Sequence, residues 1–172
     1  MIISISGASC TGKTTLIKEL AKKGYPVITP SASRIVAGRT FNSQEEKTQA
    51  IFDVMTDQLA KARAMYQDSG KHVFLDRSYI DMLSFRHAMK LPEAPWEKEA
   101  REQCWRIHLV VLCSPVEVAF HADGVRPEDL NLRDNWHHQL IADCNANNLR
   151  YILAQGTVPE RLALIEKTIA EM

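Results

Sequence analysis

Eight residues, Gly7-Ala8-Ser9-Cys10-Thr11-Gly12-Lys13-Thr14, constrain this chain more than any other stretch. They follow an apolar run, residues 2–6, and lead into an amphipathic segment that begins Thr15-Leu16-Ile17. A strand, a glycine-bounded turn and a helix, with every fixed position of G-x-x-x-x-G-K-[ST] filled, describe a loop that cradles phosphate. Its backbone N–H groups and the positive end of the following helix form a concave anion site. Gly7 and Gly12 supply conformations and close approaches that a side chain would obstruct. Lys13, expected to face solvent, can reach the β- and γ-phosphates, and the Thr14 hydroxyl can ligate Mg²⁺. Gly7, Ser9, Cys10, Thr11, Gly12, Lys13, Thr14 and Thr15 are therefore the nucleotide-binding candidates, and the chain is expected to bind ATP or GTP.

A length of 172 residues fits a single domain with a full core. Lysine plus arginine number 21, as do aspartate plus glutamate, so no global basic field draws in nucleic acid. The four cysteines, Cys10, Cys104, Cys113 and Cys144, form no C-x-x-C pair and show no zinc-ligand spacing. They read as reduced thiols, and with no leader or apolar run of transmembrane length the protein is expected to be cytoplasmic, without membrane contact.

Beyond the first helix, residues 25–29 predict a second strand. In open α/β sheets ligands bind outside the carboxyl ends of strands. The segment after it, containing Ser33, Arg34 and Arg39, is thus a substrate-site candidate. Ser43 and Glu46 form a capping box opening a long helix that ends at Gly70. Next, Val73-Phe74-Leu75-Asp76-Arg77-Ser78 describes a buried parallel strand that delivers a carboxylate to its edge. Asp76 there can hold Mg²⁺ or accept the proton of an attacking hydroxyl, and Arg77 offers a planar fork for phosphate. Tyr79, Asp81 and Arg86 follow at helical spacing, with Tyr79 the substrate-contact candidate. Trp96 and Trp105 are expected to be core anchors.

Arg126 and Arg133 lie in a Gly/Pro-containing segment read as a loop ahead of a helix over residues 134–148. Such a segment can fold over bound phosphates and place positive charge where it develops in transfer. A last strand over residues 149–153 and a C-terminal helix complete a repeating strand–loop–helix pattern. This predicts five parallel strands flanked by helices.

Taken together, the loop 7–14, Asp76-Arg77-Ser78 and the arginine-bearing segment 124–133 resemble a small P-loop kinase of the nucleoside/nucleotide kinase superfamily. Within it the chain is most similar to the ATPase/kinase group related to nicotinamide riboside kinase. The resemblance implies a three-layer α/β/α P-loop NTPase fold, with a five-stranded parallel sheet and a helical lid, as one domain over residues 1–172. The lid would span about residues 121–134. Residues 156–161 fall where that group places a loop near the adenine base. Implied chemistry is ATP- and Mg²⁺-dependent transfer to a nucleoside or nucleotide hydroxyl. Lys13, Asp76, Arg77, Arg126 and Arg133 are the catalytic candidates, and Thr14 and Asp76 would hold the metal. Ser33, Arg34 and Tyr79 would meet the acceptor, in a monomer or a homodimer. Relatives carry a glutamate after strand two, where this chain reads Ser31-Ala32-Ser33-Arg34, which passes the base role to Asp76. Two alternatives stand beside this: a phage-type kinase acting on hydroxymethylated pyrimidine in DNA, and a nucleotide-dependent regulatory ATPase or switch.

Overall fold

The computed structural model describes residues 1–29, 39–116, 118 and 130–172. Among those residues the strands are β1 (Ile2–Ser6), β2 (Val27–Ile28), β3 (Val73–Asp76), β4 (Leu109–Cys113) and β5 (Tyr151–Ala154). Among the described residues six helices accompany them: α1 (Lys13–Lys22), α2 (Gln44–Ser69), α3 (Tyr79–Ala88), α4 (Glu97–Cys104), α5 (Leu130–Ala146) and α6 (Val158–Ala170). The strands form one parallel sheet in the order β2-β3-β1-β4-β5. β1 is central, with Ile5 opposite Asp76 of β3 on one side and Val111 of β4 on the other.

Both sheet faces are covered, which explains why every residue of β1 and β4 is buried and why β4 reads as an unbroken apolar run. Because strand side chains alternate, Ile3, Ile5, Phe74, Leu109 and Val111 face one way. They pack with Leu16 and Leu20 of α1 and with Leu162 and Ile165 of α6. Ile2, Val73, Leu75, Val110 and Leu112 face the other way and meet α2 to α5 through Phe52, Leu59, Tyr79, Trp96, Trp136 and Leu140. Three layers result. All carboxyl ends of the strands lie at one sheet edge, and β1 marks the place where the chain crosses from the β2–β3 side to the β4–β5 side. Loops at such a point form the ligand crevice of open α/β folds.

Local signals act where expected at α2: the Ser43 hydroxyl accepts from Glu46 N–H at 3.1 Å, and Gly70 closes the helix with φ 65°. Three expectations change. β2 is only two residues long, at the sheet edge. α5 is already helical at Leu130, the first described residue of that segment, so Arg133 stands in a helix and not in a loop. Trp96 is buried but Trp105, just past the end of α4, is 66% exposed and anchors no core.

Candidate functional site

The phosphate loop emerges from the buried end of β1 and turns back into α1. Gly7 adopts φ 147°, and a Cβ there would lie 2.9 Å from the Cys113 carbonyl oxygen and 2.9 Å from Thr11 Oγ1, so only glycine fits. Gly12, at φ 82°, precedes the first turn of α1 and brings no side chain to its N–H groups. Those groups, with Thr14 and Thr15 exposed on the same turn, present donors and the positive helix end to an anion. Cys10 is half-buried at φ 53°. Left-handed backbone at a residue other than glycine is costly and gathers at sites where the surroundings enforce it.

Lys13 corrects the expectation of a solvent-facing lysine. Only 7% exposed, it folds back across the loop, donating to the Ala8 carbonyl and, at 3.3 Å, to Thr11 Oγ1. Burial, reinforced by the Arg77 cation, lowers its pKa to about 7, while Asp81, Cys113 and Asp76 pull the other way. Burial thus works against the charged form of this lysine, and an anion arriving in the loop would favour it.

Asp76 ends β3, half-buried, at the level of Ile5 and close enough for its charge to act on Lys13. Arg77 follows it at φ 73°, its N–H extending the ladder to Ile5 O at 3.0 Å. The guanidinium does not stand open as a phosphate fork. Nη1 donates to Gly7 O and to Asp81 Oδ1, both at 2.8 Å, and the group lies 4.8 Å over the Trp136 ring. Asp81, buried on α3, also accepts from Gly7 N–H and Ser78 N–H, each at 3.1 Å. Trp136 of α5 donates to the Asp81 carbonyl at 3.2 Å. One aspartate thus ties the start of the phosphate loop to α3 and, through Trp136, to α5.

Residues the sequence grouped near the substrate separate here. Tyr79 is 1% exposed and belongs to the core: its ring packs on Phe52 and its hydroxyl donates to Thr56 at 2.9 Å. That corrects its assignment as a substrate contact. The α-helical phase sends the side chain toward α2, away from the loop. Arg86 is likewise structural, held by Glu97 at 2.7 Å and by the Pro92 carbonyl. Arg133 donates to Val118 O and to Asp134 Oδ1, each at 3.3 Å. Arg39 is exposed. Ser33, Arg34, Arg126 and the segment assigned as the lid up to residue 129 lie outside the described residues.

Arg161 was missed. From α6 its guanidinium reaches the back of the loop, donating to Thr11 O at 2.7 Å, Gly156 O at 2.9 Å and Ser114 O at 3.4 Å. The only hint in the sequence was the neighbouring Gly156-Thr157-Val158-Pro159-Glu160 turn.

Among the described residues no group of three or more His, Cys, Asp or Glu side chains could hold a metal unaided. A Mg²⁺ ion suits this donor set, since it binds through one or two protein oxygens plus substrate phosphates. The Thr14 hydroxyl and Asp76 carboxylate are of that kind. No helix among the described residues is long and apolar enough to cross a membrane.

A family model described as an AAA domain matches residues 2–161. A search of curated proteins found no match. Among solved structures, the crystal structure of NadR protein in complex with NR superimposes with a TM-score of 0.68 at 18% sequence identity. The alignment covers 90% of this chain but 43% of that one, so the chain spans less than half of that protein's length. At this identity the likeness shows the fold.

Proposed function

The chain belongs to the AAA-domain family, and from that footing we propose that it is an ATP-dependent kinase whose acceptor is the hydroxyl of a nucleoside or nucleotide. The NadR protein, similar in fold, was crystallised with NR, which makes nicotinamide riboside the first acceptor to try. One observation carries this reading: a carboxylate, Asp76, stands at the carboxyl end of β3, beside β1 and within electrostatic reach of Lys13.

Chemically, the acceptor hydroxyl gives its proton to Asp76 as its oxygen bonds to the γ-phosphorus. The bond from that phosphorus to the β,γ-bridging oxygen breaks, and ADP leaves. Lys13 and the loop N–H groups hold the β- and γ-phosphates and take up the charge that shifts onto the bridging oxygen. Thr14 and Asp76 would hold Mg²⁺, which when bound supplies Lewis-acid neutralisation of the phosphates. Arg77 serves by supporting the loop. Arg133 and, on its sequence position alone, Arg126 would help to neutralise the transferring phosphoryl group. Ser33 and Arg34 remain acceptor contacts on the same basis.

Phosphate transfer from γ-labelled ATP, screened against nucleosides, nucleotides, nicotinamide riboside and hydroxymethylated DNA, tests the proposal. Label is expected in a small-molecule acceptor, and Asp76→Asn is expected to lower kcat by about 10²-fold or more with a smaller effect on ATP binding. Label appearing only as inorganic phosphate, whatever acceptor is added, favours a regulatory ATPase.

A further inference from the structure

Four arginines among the described residues have buried or largely buried side chains, and three of them, Arg77, Arg86 and Arg133, face carboxylates. Arg77 pairs with Asp81 at 2.8 Å and Arg86 with Glu97 at 2.7 Å. Arg161, 3% exposed, differs: among the described residues its hydrogen bonds go to three backbone carbonyls and to the Cys113 side chain, and no carboxylate lies within ion-pair distance. Its neighbour Glu160 is turned back onto Thr157 N–H and Oγ1, each at 2.7 Å. Burying a permanent cation without an anion is costly, so such a charge marks a place where an anion is received.

What Arg161 touches says which anion. Its shortest bond goes to the carbonyl of Thr11, the residue before Gly12 in the phosphate loop. In a trans peptide the C=O and the next N–H lie in one plane and point in opposite directions. Clasping the Thr11 oxygen from behind therefore turns the Gly12 N–H away from the guanidinium, into the concave side of the loop. Gly12 also lies close by: a Cβ on it would sit 3.5 Å from Arg161 Nη1. The same guanidinium fixes Ser114, which follows β4, and Gly156, which follows β5, so three loops at the ligand edge share one clasp.

We propose that Arg161 is a positioning residue of the phosphate site, which aims the Gly12 N–H into the cradle and supplies buried positive charge that a bound polyphosphate neutralises. It does not touch the transferred group; it acts through the loop. This rests on the nucleotide-site reading above, so the ligands are ATP and, as a probe without base or sugar, inorganic tripolyphosphate.

Binding of both ligands is measured by calorimetry on the full chain for wild type, Arg161→Lys and Arg161→Met. Thermal unfolding without ligand gives the folded fraction to which affinities are referred. Arg161→Met is expected to bind each ligand about 10- to 100-fold more weakly, the size of a lost charge-assisted hydrogen bond. Arg161→Lys, which keeps the charge but not the fork, is expected to fall between, even where its unfolding midpoint matches wild type. If Arg161→Met does not fold, the lysine variant decides. Affinities within about two-fold of wild type in a folded variant overturn the assignment and leave the nucleotide site standing. Failure of wild type to bind either ligand removes the nucleotide site and the role of Arg161 with it.

Discussion

At its leading end the phosphate loop is tied to a neutralised pair, whereas at its trailing end a lone guanidinium holds it. Gly7 gives its N–H to Asp81 and its carbonyl to Arg77, and those two side chains are themselves bonded at 2.8 Å beneath the Trp136 ring. Charge there is balanced inside the protein, so the geometry holds whatever occupies the loop. Thr11, at the other end, is held by Arg161, whose charge has no balancing carboxylate among the described residues. The contrast separates two jobs that a phosphate site needs: one end fixes shape, and the other leaves a field for the ligand to complete.

Removing the balanced end gives the largest effect on stability. Asp81→Ala strands the Arg77 guanidinium and the Gly7 N–H, and breaking a buried pair in this way costs about 3–5 kcal/mol. Chemical denaturation is expected to show that loss, while the protein that remains folded binds ATP within a few-fold of wild type. Loss of affinity without loss of stability would exchange the roles of the two ends.

A second measurement concerns Lys13, which touches Ala8 and Thr11 and so bridges both halves of the loop. Its pKa is lowered to about 7 in the fold, from 10.5. Between those values the unfolded chain binds more protons than the folded one, so this group makes stability rise with pH across that window. A polyphosphate restores the ammonium, so ATP binding at pH 8.5 is expected to take up close to one proton. Calorimetry in buffers of different ionisation enthalpy reads this uptake directly. Lys13→Met should abolish it, and uptake persisting in that variant would move the titrating group elsewhere.

The smallest effect belongs to Tyr79, which the sequence places beside the site and the fold places in the core. Tyr79→Phe loses one hydrogen bond to Thr56, worth about 1 kcal/mol of stability. Turnover and acceptor KM are expected to stay at wild-type values. A raised acceptor KM would return the residue to the substrate.

What could be read from the chain was what is local in it. The loop 7–14, the strand ending in Asp76, the α2 caps and the parallel sheet all follow from periodicity and from residue types a few positions apart. Asp81 and Arg161 escaped because the groups they serve are 74 and 150 residues distant, and no spacing pattern spans such intervals. Arg77 shows the same limit. Its position beside Asp76 suggested a phosphate contact, yet Gly7, far away in the chain, takes its donor. Trp105 and Tyr79 were misplaced for a different reason: hydrophobicity says that a ring prefers burial, but helix phase and helix ends decide where it goes.

The reach of Arg161 across 150 residues also carries a consequence for the order of events during synthesis. The residues of the phosphate loop leave the ribosome ahead of the strands beside it, and β3 and β4 must dock on either side of β1 before Gly7 finds Asp81 and Cys113. The clasp on Thr11 waits longer still, until α6 has emerged and packed. Contacts so distant in the chain are the slow, late ones in folding. A nascent chain halted before residue 161 would present the eight-residue signature with its trailing end unheld. On the proposed role of Arg161, full competence to grip a polyphosphate waits for α6, and free nucleotide would favour the chain with α6 docked over the chain without it.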